Sequence, residues 1–444
     1  MNSFLNITTF YNSTAERTIN RLYSVYNNIE VLVDAIRRII EPGLTIDFVR
    51  GRRILLKPNW VNHSRGSYDE ELCLRTNDNL VIAALKVILE MVPSEVIIGD
   101  APIQGCNWDR MISDSLTNEI GKLSKEYNIP VSLKDFRRRT YNISRNNPES
   151  GIRPLSDYVI FDLGRDSLLE PITNSGYKRF RVTNYDPDRM LSAHSPGVHK
   201  YCISREFFDA DIVISLPKIK THQKTGITGA LKNLVGLNGD KDFLPHHRIG
   251  GIETGGDCYP GGSYLRYWSE LSLDNANRRQ GTRSFWFWQK LSSLAWRLSF
   301  PGPEHNMAAG WHGNDTSWRM VMDLNKIAEY GNSDGIISET PQRQIYSLCD
   351  GIIAGQGNGP LEPEPLPLGI ISFTNNSVIN DRAMAIMMSF PLEKIPLLNI
   401  YSDIEELDCE LNMNGKRIVN EDLKKYSIKA IPPKGWTAYL KEHK

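Results

Sequence analysis

Between Asp211 and Asn233 the chain reads DIVISLPKIKTHQKTGITGALKN, and this segment restricts the fold more than any other. Ile212, Val213 and Ile214 form a continuous β-rich apolar run, the pattern of a buried strand. Lys218, Lys220, Thr221, His222, Lys224 and Thr225 then make a cationic, hydroxyl-rich turn. A helix is predicted over 226–234, with Thr225 capping its first amides. A strand feeding a basic loop and then a helix N-terminus is the layout of an anion site in α/β proteins.

Elsewhere, short apolar runs alternate with amphipathic stretches. Ile54–Leu56 reads as a strand ending at Lys57-Pro58-Asn59. Asn77 caps a helix striped with Val81, Leu85, Ile88, Leu89 and Val92, which Pro93 ends. Val96–Ile98 is a strand with Asp100 at its tip. A helix over 109–127 follows, then strands at Val131–Leu133, Tyr158–Phe161, Ile345–Ile353 and Gly369–Phe373, and a helix from Ser377 to Met388. This alternation predicts an α/β fold: a mainly parallel sheet flanked by helices, with a helical insertion and a small C-terminal β hairpin. Residues 1–45 are expected to be an N-terminal helical segment stopped at Pro42-Gly43. The core comes in two parts, 46–250 and 335–400. Between them, 251–334 is expected to be a flexible glycine-rich loop and a helical insertion. The last part, 401–444, is a hairpin extension turning at Asn414-Gly415.

Lys plus Arg and Asp plus Glu each total 52 in 444 residues, so no global field recruits nucleic acid. The six cysteines never fall in a C-x2-C spacing, so no iron–sulfur motif is encoded locally, and their scatter suits free thiols. No stretch approaches the roughly 18 apolar residues of a transmembrane helix, and the first residues lack a secretory pattern. The expected location is cytoplasmic. Ser284–Leu298 carries Trp288, Leu291, Ala295 and Leu298 on a predicted core face and Trp286 on the other. That makes 284–298 the candidate contact for a partner or a membrane surface.

In an open α/β sheet, ligands gather beyond the carboxyl ends of the strands. Lys57, Asn59 and Asp100 are placed there, as is the loop carrying Lys218, Lys220, Thr225, Gly226, Thr228, Gly229 and Asn233. These residues are expected to hold a small anionic ligand or a nucleotide-like cofactor. Lys232 is expected on the helix face reached from Gly229, where partial burial would lower its pKa for covalent or acid–base work. His246 and His247 are adjacent, so at most one joins His222. Imidazoles with a carboxylate suit a divalent transition metal, and Asp100, His222 and His247 are the expected ligands. GQGNGP at Gly355–Pro360 lacks the helix that the dinucleotide fingerprint needs, because Pro363, Pro365 and Pro367 follow. A tight turn lining the pocket, with Asp350 and Asn358, is expected instead. His305, Trp311 and His312 make a candidate lid.

KPN at Lys57–Asn59, VIIGDAP at Val96–Pro102, the PKIKTH…TGALKN segment and DGIIAGQGNGP at Asp350–Pro360 resemble the domain of unknown function family 362. The resemblance runs from about Ile54 to about Ser389 and implies an α/β protein without a particular reaction. His222, Gly226, Thr228, Gly229 and Lys232, followed by His246 and His247, are also similar in spacing to the lactate racemases that use a nickel-pincer nucleotide. That similarity implies a catalytic His222, Lys232 as cofactor tether, and His246 or His247 as nickel ligand. Ala230 stands in place of a second glycine, and GDAP has no histidine where the racemases place another base.

Two readings follow. The first is a metal-assisted enzyme in which His222 and Lys232 act on a small anionic substrate by racemase-like, isomerase-like or redox chemistry. The second is a non-catalytic anion-binding or cofactor-maturation protein using the same loop.

Overall fold

The apolar run at Ile212–Ile214 is buried because helices cover both faces of the sheet that holds it. A computed structural model describes residues 2–41, 43–64, 66–141, 149–173, 177–299, 309–400, 407 and 409–441. Its main sheet has 12 strands: β1 (Phe4–Thr9), β2 (Arg53–Pro58), β3 (Glu95–Asp100), β4 (Val131–Asp135), β5 (Ile212–Leu216), β6 (Lys218–His222), β7 (Gly226–Thr228), β8 (Gln344–Asn358), β9 (Glu362–Leu366), β10 (Ile370–Thr374), β11 (Glu410–Met413) and β12 (Lys416–Arg417). The spatial order is β12-β11-β1-β10-β8-β5-β2-β3-β4, with β6 and β9 also on β8 and β7 on β6. The block β8-β5-β2-β3-β4 is parallel throughout. Both expected parts of the core therefore contribute to one sheet, but the expected strand at Tyr158–Phe161 lies outside it, in a separate three-stranded sheet.

The main helices are α1 (Ile29–Ile40), α2 (Asp78–Glu90), α3 (Asp114–Tyr127), α4 (Ala230–Asn233), α5 (Tyr264–Asn277), α6 (Arg283–Ser299), α7 (Ser317–Tyr330) and α8 (Ser377–Met387). Strand side chains alternate between two cores. Ile54, Leu56, Val96, Ile98, Ile212 and Ile214 pack with α1, α2 and α3 on one face. Leu55, Ile97 and Val213 pack with α7 and α8 on the other. Each fully buried aliphatic side chain contributes about 1.5–3 kcal/mol, which fixes the strand register. That register sets Lys57, Asp100 and Lys218 at the carboxyl edge of the parallel block.

Several local expectations give way to tertiary pairing. Phe4–Thr9 is a strand inside the expected N-terminal helical segment, held antiparallel to β10 and parallel to β11. The helix expected over 109–127 breaks before Asp114, where the Ser113 hydroxyl accepts from the Leu116 amide. The helix expected over 226–234 shrinks to α4, because Gly226–Thr228 pairs with Lys220–His222 as a hairpin. GQGNGP is not a simple turn: Gly355–Asn358 continues β8 and pairs with β9, an edge strand that accommodates Pro363 and Pro365. The C-terminal hairpin forms as expected, with Asn414 at φ 51° and Gly415 at φ 75°.

The expected insertion divides. Helices α5 and α6 pack on each other, with the Ser269 hydroxyl donating to the Ser292 carbonyl at 2.8 Å. Helix α7 instead sends Met320, Val321, Leu324 and Ile327 into the main core. On α6 the buried face carries Ser292 and Trp296, whereas Leu291 and Leu298 are exposed. The expected core face of α6 is thus only partly covered, with Trp288 and Ala295 half-buried, because Trp296 docks edge-on against Tyr259 in the preceding loop. None of the six cysteines forms a disulfide. Pro42, His305 and residues 401–406, named in the sequence expectations, lie outside the described residues.

Candidate functional site

Most of the expected anion ligands at the carboxyl edge are engaged with the protein itself. The Lys57 amine is fully buried, 2.7 Å from Asp100 Oδ1, and donates to Asn233 Oδ1 at 3.1 Å. Asp100 Oδ2 accepts from the Trp60 amide and Oδ1 from the Ala101 amide. Asn59 joins through a bond from its Nδ2 to Asn233 Oδ1, and Asn233 donates to the Lys57 carbonyl and Ser215 hydroxyl. Lys218 pairs with buried Asp350 at 3.0 Å and contacts the Tyr26 hydroxyl, which also bonds Asp350. Lys220 donates to the carbonyls of Leu74 and Pro360. Lys57, Lys218 and Lys220 therefore do not present free amines to an anion. Both oxygens of Asp100 are engaged by the protein's own donors.

The helix N-terminus is also occupied. Asp381, from α8, accepts from the amides of Ala230 at 2.6 Å and Leu231 at 3.0 Å. A Cβ at Gly229 would sit 2.1 Å from Asp381 Oδ1, so glycine is required there by close approach. The expected cap, Thr225, instead turns its hydroxyl to the Ile227 carbonyl. Gly226 takes φ 81° in the β6–β7 turn, and the buried Thr228 hydroxyl has no partner. Asp381 lies 151 residues from Ala230, and no local sequence signal links the two.

What remains is a cluster of cations and neutral imidazoles along the β6–β7 hairpin and α4. Among the described residues, the Lys224 and Lys232 amines have no hydrogen-bond or ion-pair partner. Burial lowers the Lys232 amine to about 7, with Lys241 and Lys224 adding repulsion. Burial likewise lowers Lys224 to about 8. His222 is held well below its ordinary value, first by burial and then by the charge of Lys232, with His246 and Lys224 contributing. The Lys232 charge thus acts on the His222 ring. Gln223, Lys224, Lys232 and His246 keep partial exposure, which is where this cluster meets solvent.

The hydrogen bonds fix the two rings in opposite states. His222 Nδ1 accepts from the amides of Lys224 at 3.0 Å and Thr225 at 3.2 Å. A neutral ring that accepts at Nδ1 carries its proton on Nε2, so His222 is a donor and not the expected base or metal ligand. His246 Nδ1 lies 2.7 Å from the Leu244 carbonyl, which can only accept, so His246 keeps a bare Nε2. The group implied by the racemase resemblance fits in part. Lys232 offers an unpartnered amine as tether and His246 a bare nitrogen as ligand, but His222 lacks the state that a base requires.

His247 points elsewhere, into a buried group with Cys258 and Glu270 whose ligand-type atoms all lie within 4.8 Å of one another. Neither Asp100 nor His222 belongs to it, so the expected trio is not assembled. Cys258 and Glu270 carried no spacing signal. Trp311 and His312 pack against the C-terminal segment, where His312 stacks on Tyr439 at 4.2 Å and Trp311 bridges Gly435. A cleft of about 860 Å³, lined among others by Arg382, Lys394 and Lys424, holds none of the expected site residues.

Comparison with known proteins gives distant relatives. A thylakoid-associated protein of Synechocystis sp. is 22% identical over 345 residues, 77% of this chain and 65% of its own length. The chain therefore spans somewhat less than two thirds of that relative. A crystal structure of a Thermotoga maritima protein aligns over 76% of this chain and 53% of its own, with 8% identity and a TM-score of 0.33. The lactate racemase apoprotein of Thermoanaerobacterium thermosaccharolyticum aligns over 72% and 48%, with 10% identity and a TM-score of 0.27. Neither score is high enough to carry chemistry across. The model of the family described as Domain of unknown function (DUF362) matches residues 170–386, just under half of the chain, and that span contains the whole Lys/His cluster.

Proposed function

We propose that the chain is an enzyme that binds a small carboxylate or phosphate substrate at Lys224, Lys232 and His222. The observation that carries this reading is the pair of desolvated amines, Lys224 and Lys232, left without partners while Lys57, Lys218, Lys220 and Lys241 are all engaged. Unpaired buried charge is costly, and a bound anion would offset it. In this reading the amines and the His222 Nε2–H hold the anionic group. The bare Nε2 of His246 accepts a proton from the adjacent substrate atom, as in proton transfer next to a carboxylate. The alternative is a non-catalytic anion carrier using the same grip.

The expected location is cytoplasmic; no described helix is long and apolar enough to cross a membrane. The outward face of α5 and α6 is the proposed contact with a membrane surface.

Calorimetric titration with inorganic phosphate and with small carboxylates tests the site. Because the free Lys232 amine titrates near 7, anion binding should take up protons, and affinity should fall as pH rises through that value. Lys232→Met should remove the proton uptake and weaken binding roughly tenfold, the loss of one charge-assisted hydrogen bond. Equal affinity in the variant would reject the site. Deuterium wash-in from solvent into a bound carboxylate separates the readings: exchange supports the enzyme, and tight binding without exchange supports the carrier.

A further inference from the structure

The group His247, Cys258 and Glu270 adjoins the anion grip, with the Lys224 charge acting on both His247 and Cys258, but has its own architecture. His247 lies in a two-residue strand paired with Arg181, Cys258 at the end of the glycine-rich loop, and Glu270 in the middle of α5. The loop is folded tightly on itself: the Cys258 amide donates to the Gly250 carbonyl at 3.0 Å, and the Asp257 amide to the Arg248 carbonyl at 3.1 Å. A Cβ at Gly256 would approach the Gly250 carbonyl oxygen to 2.2 Å. The paired glycines of this run thus serve close backbone contact, which carries Cys258 beside His247. They are not the flexible linker that composition suggested.

We propose that His247, Cys258 and Glu270 bind a divalent transition ion of zinc type, with a fourth coordination position left open. Ligand atoms around tetrahedral zinc lie about 3.5 Å apart. The three atoms here, all within 4.8 Å of one another, need only a small inward adjustment. The second observation is an orphaned ligand atom beside His247: Glu270 Oε1 is buried without a hydrogen-bond partner. The two residues are only 4% and 8% exposed, so water does not readily satisfy it. Glu270 Oε1 sits 3.9 Å from His247 Nε2, too far for a hydrogen bond and suited to sharing an ion.

The surroundings are those of a metal ligand set. Glu270 Oε2 is oriented by the Gly250 amide at 2.8 Å, the supporting bond that ligating carboxylates commonly have. The neighbouring Asp257 does not compete, because it is taken up by the Arg248 amide and the Thr316 hydroxyl. One thiolate and one carboxylate balance a dication, leaving a neutral centre suited to a buried place. Sulfur and imidazole donors select zinc, cobalt or nickel over magnesium and calcium.

The test uses the full chain, treated with chelator and titrated with cobalt(II) in the absence of any anionic substrate, so that it is independent of the anion reading. The expected result is about one tightly bound cobalt per chain, with thiolate-to-cobalt charge-transfer absorption and intense tetrahedral d–d bands. Cys258→Ser should abolish the charge-transfer band, and His247→Ala should weaken binding roughly tenfold or more. Zinc should displace cobalt stoichiometrically. Wild-type protein that binds no cobalt, or binds it without the thiolate band, overturns the proposal even if the variants fail to fold. A band that persists in folded Cys258→Ser overturns it as well.

Discussion

Lys232 carries opposite consequences for folding and for binding. Burial lowers its amine from the ordinary 10.5 to about 7. The unfolded chain holds that proton to about 10.5, so between about 7 and 10.5 the unfolded state binds more protons and this group's contribution to stability rises with pH. Below about 7 both states are charged and the folded state bears the whole penalty. Lys232→Met is therefore expected to melt higher than wild type at about pH 6, with the gain shrinking towards about pH 10. Thermal melts of both proteins across this range check it; a variant less stable at the acid end would mean that the ammonium is stabilised in the fold. The sequence marked the basic loop as a candidate site, but not which of its lysines would find partners within the fold. Lys218 is engaged by Tyr26 and Asp350, 192 and 132 residues away, and such distant pairings leave no mark on local spacing.

At the scale of elements, periodicity located the helices and strands of the parallel block, and misjudged those whose faces are chosen by tertiary contacts. Helix α6 is the clearest case. Its apolar residues surround most of the helix, so the stripe alone did not decide which side would be buried. Packing against α5 and Tyr259 left Trp286 58%, Phe287 62% and Leu298 66% exposed, beside Tyr264 at 86% and Trp268 at 61% on α5. Arg283, Lys290 and Arg297 are the only charged residues of α6, so its apolar surface is accompanied by basic charge alone. Exposed aromatics with basic charge suit the headgroup region of an anionic bilayer. The chain is expected to sediment with vesicles containing phosphatidylserine more than with neutral ones. The double substitution Trp286→Ser and Phe287→Ser should reduce that binding with little change in melting temperature, since both side chains are already solvated. Absence of wild-type binding to either vesicle would remove the membrane contact.

Across the whole molecule, the α/β class and the main sheet were legible because buried strands and capped helices alternate in order. What was not legible is how the distant ends close the structure. Strand β1 sits between β10 and β11, and the C-terminal segment runs back to the β6–β7 turn. The Gly357 amide donates to the Ile431 carbonyl at 2.7 Å, and Asn358 Oδ1 accepts from the Lys434 amide. Trp436, 1% exposed, donates from its indole to the Gln223 carbonyl at 2.6 Å and packs beside Gly226. It thereby braces the turn whose Lys224 and Thr225 amides fix His222 Nδ1. Trp436→Ala should cost about 3–5 kcal/mol as a large core truncation. It should also free the His222 ring from the tautomer that accepts at Nδ1, because the turn loses both its packing and its carbonyl anchor. Hydrogen exchange at Lys224 and Thr225 is the decisive measurement. Both amides should exchange faster in Trp436→Ala by more than the global loss of stability explains, with Trp436→Phe intermediate because it restores packing but not the indole bond. Acceleration equal to the global change would make Trp436 an ordinary core residue, and the position of His222 would then rest on the hairpin alone.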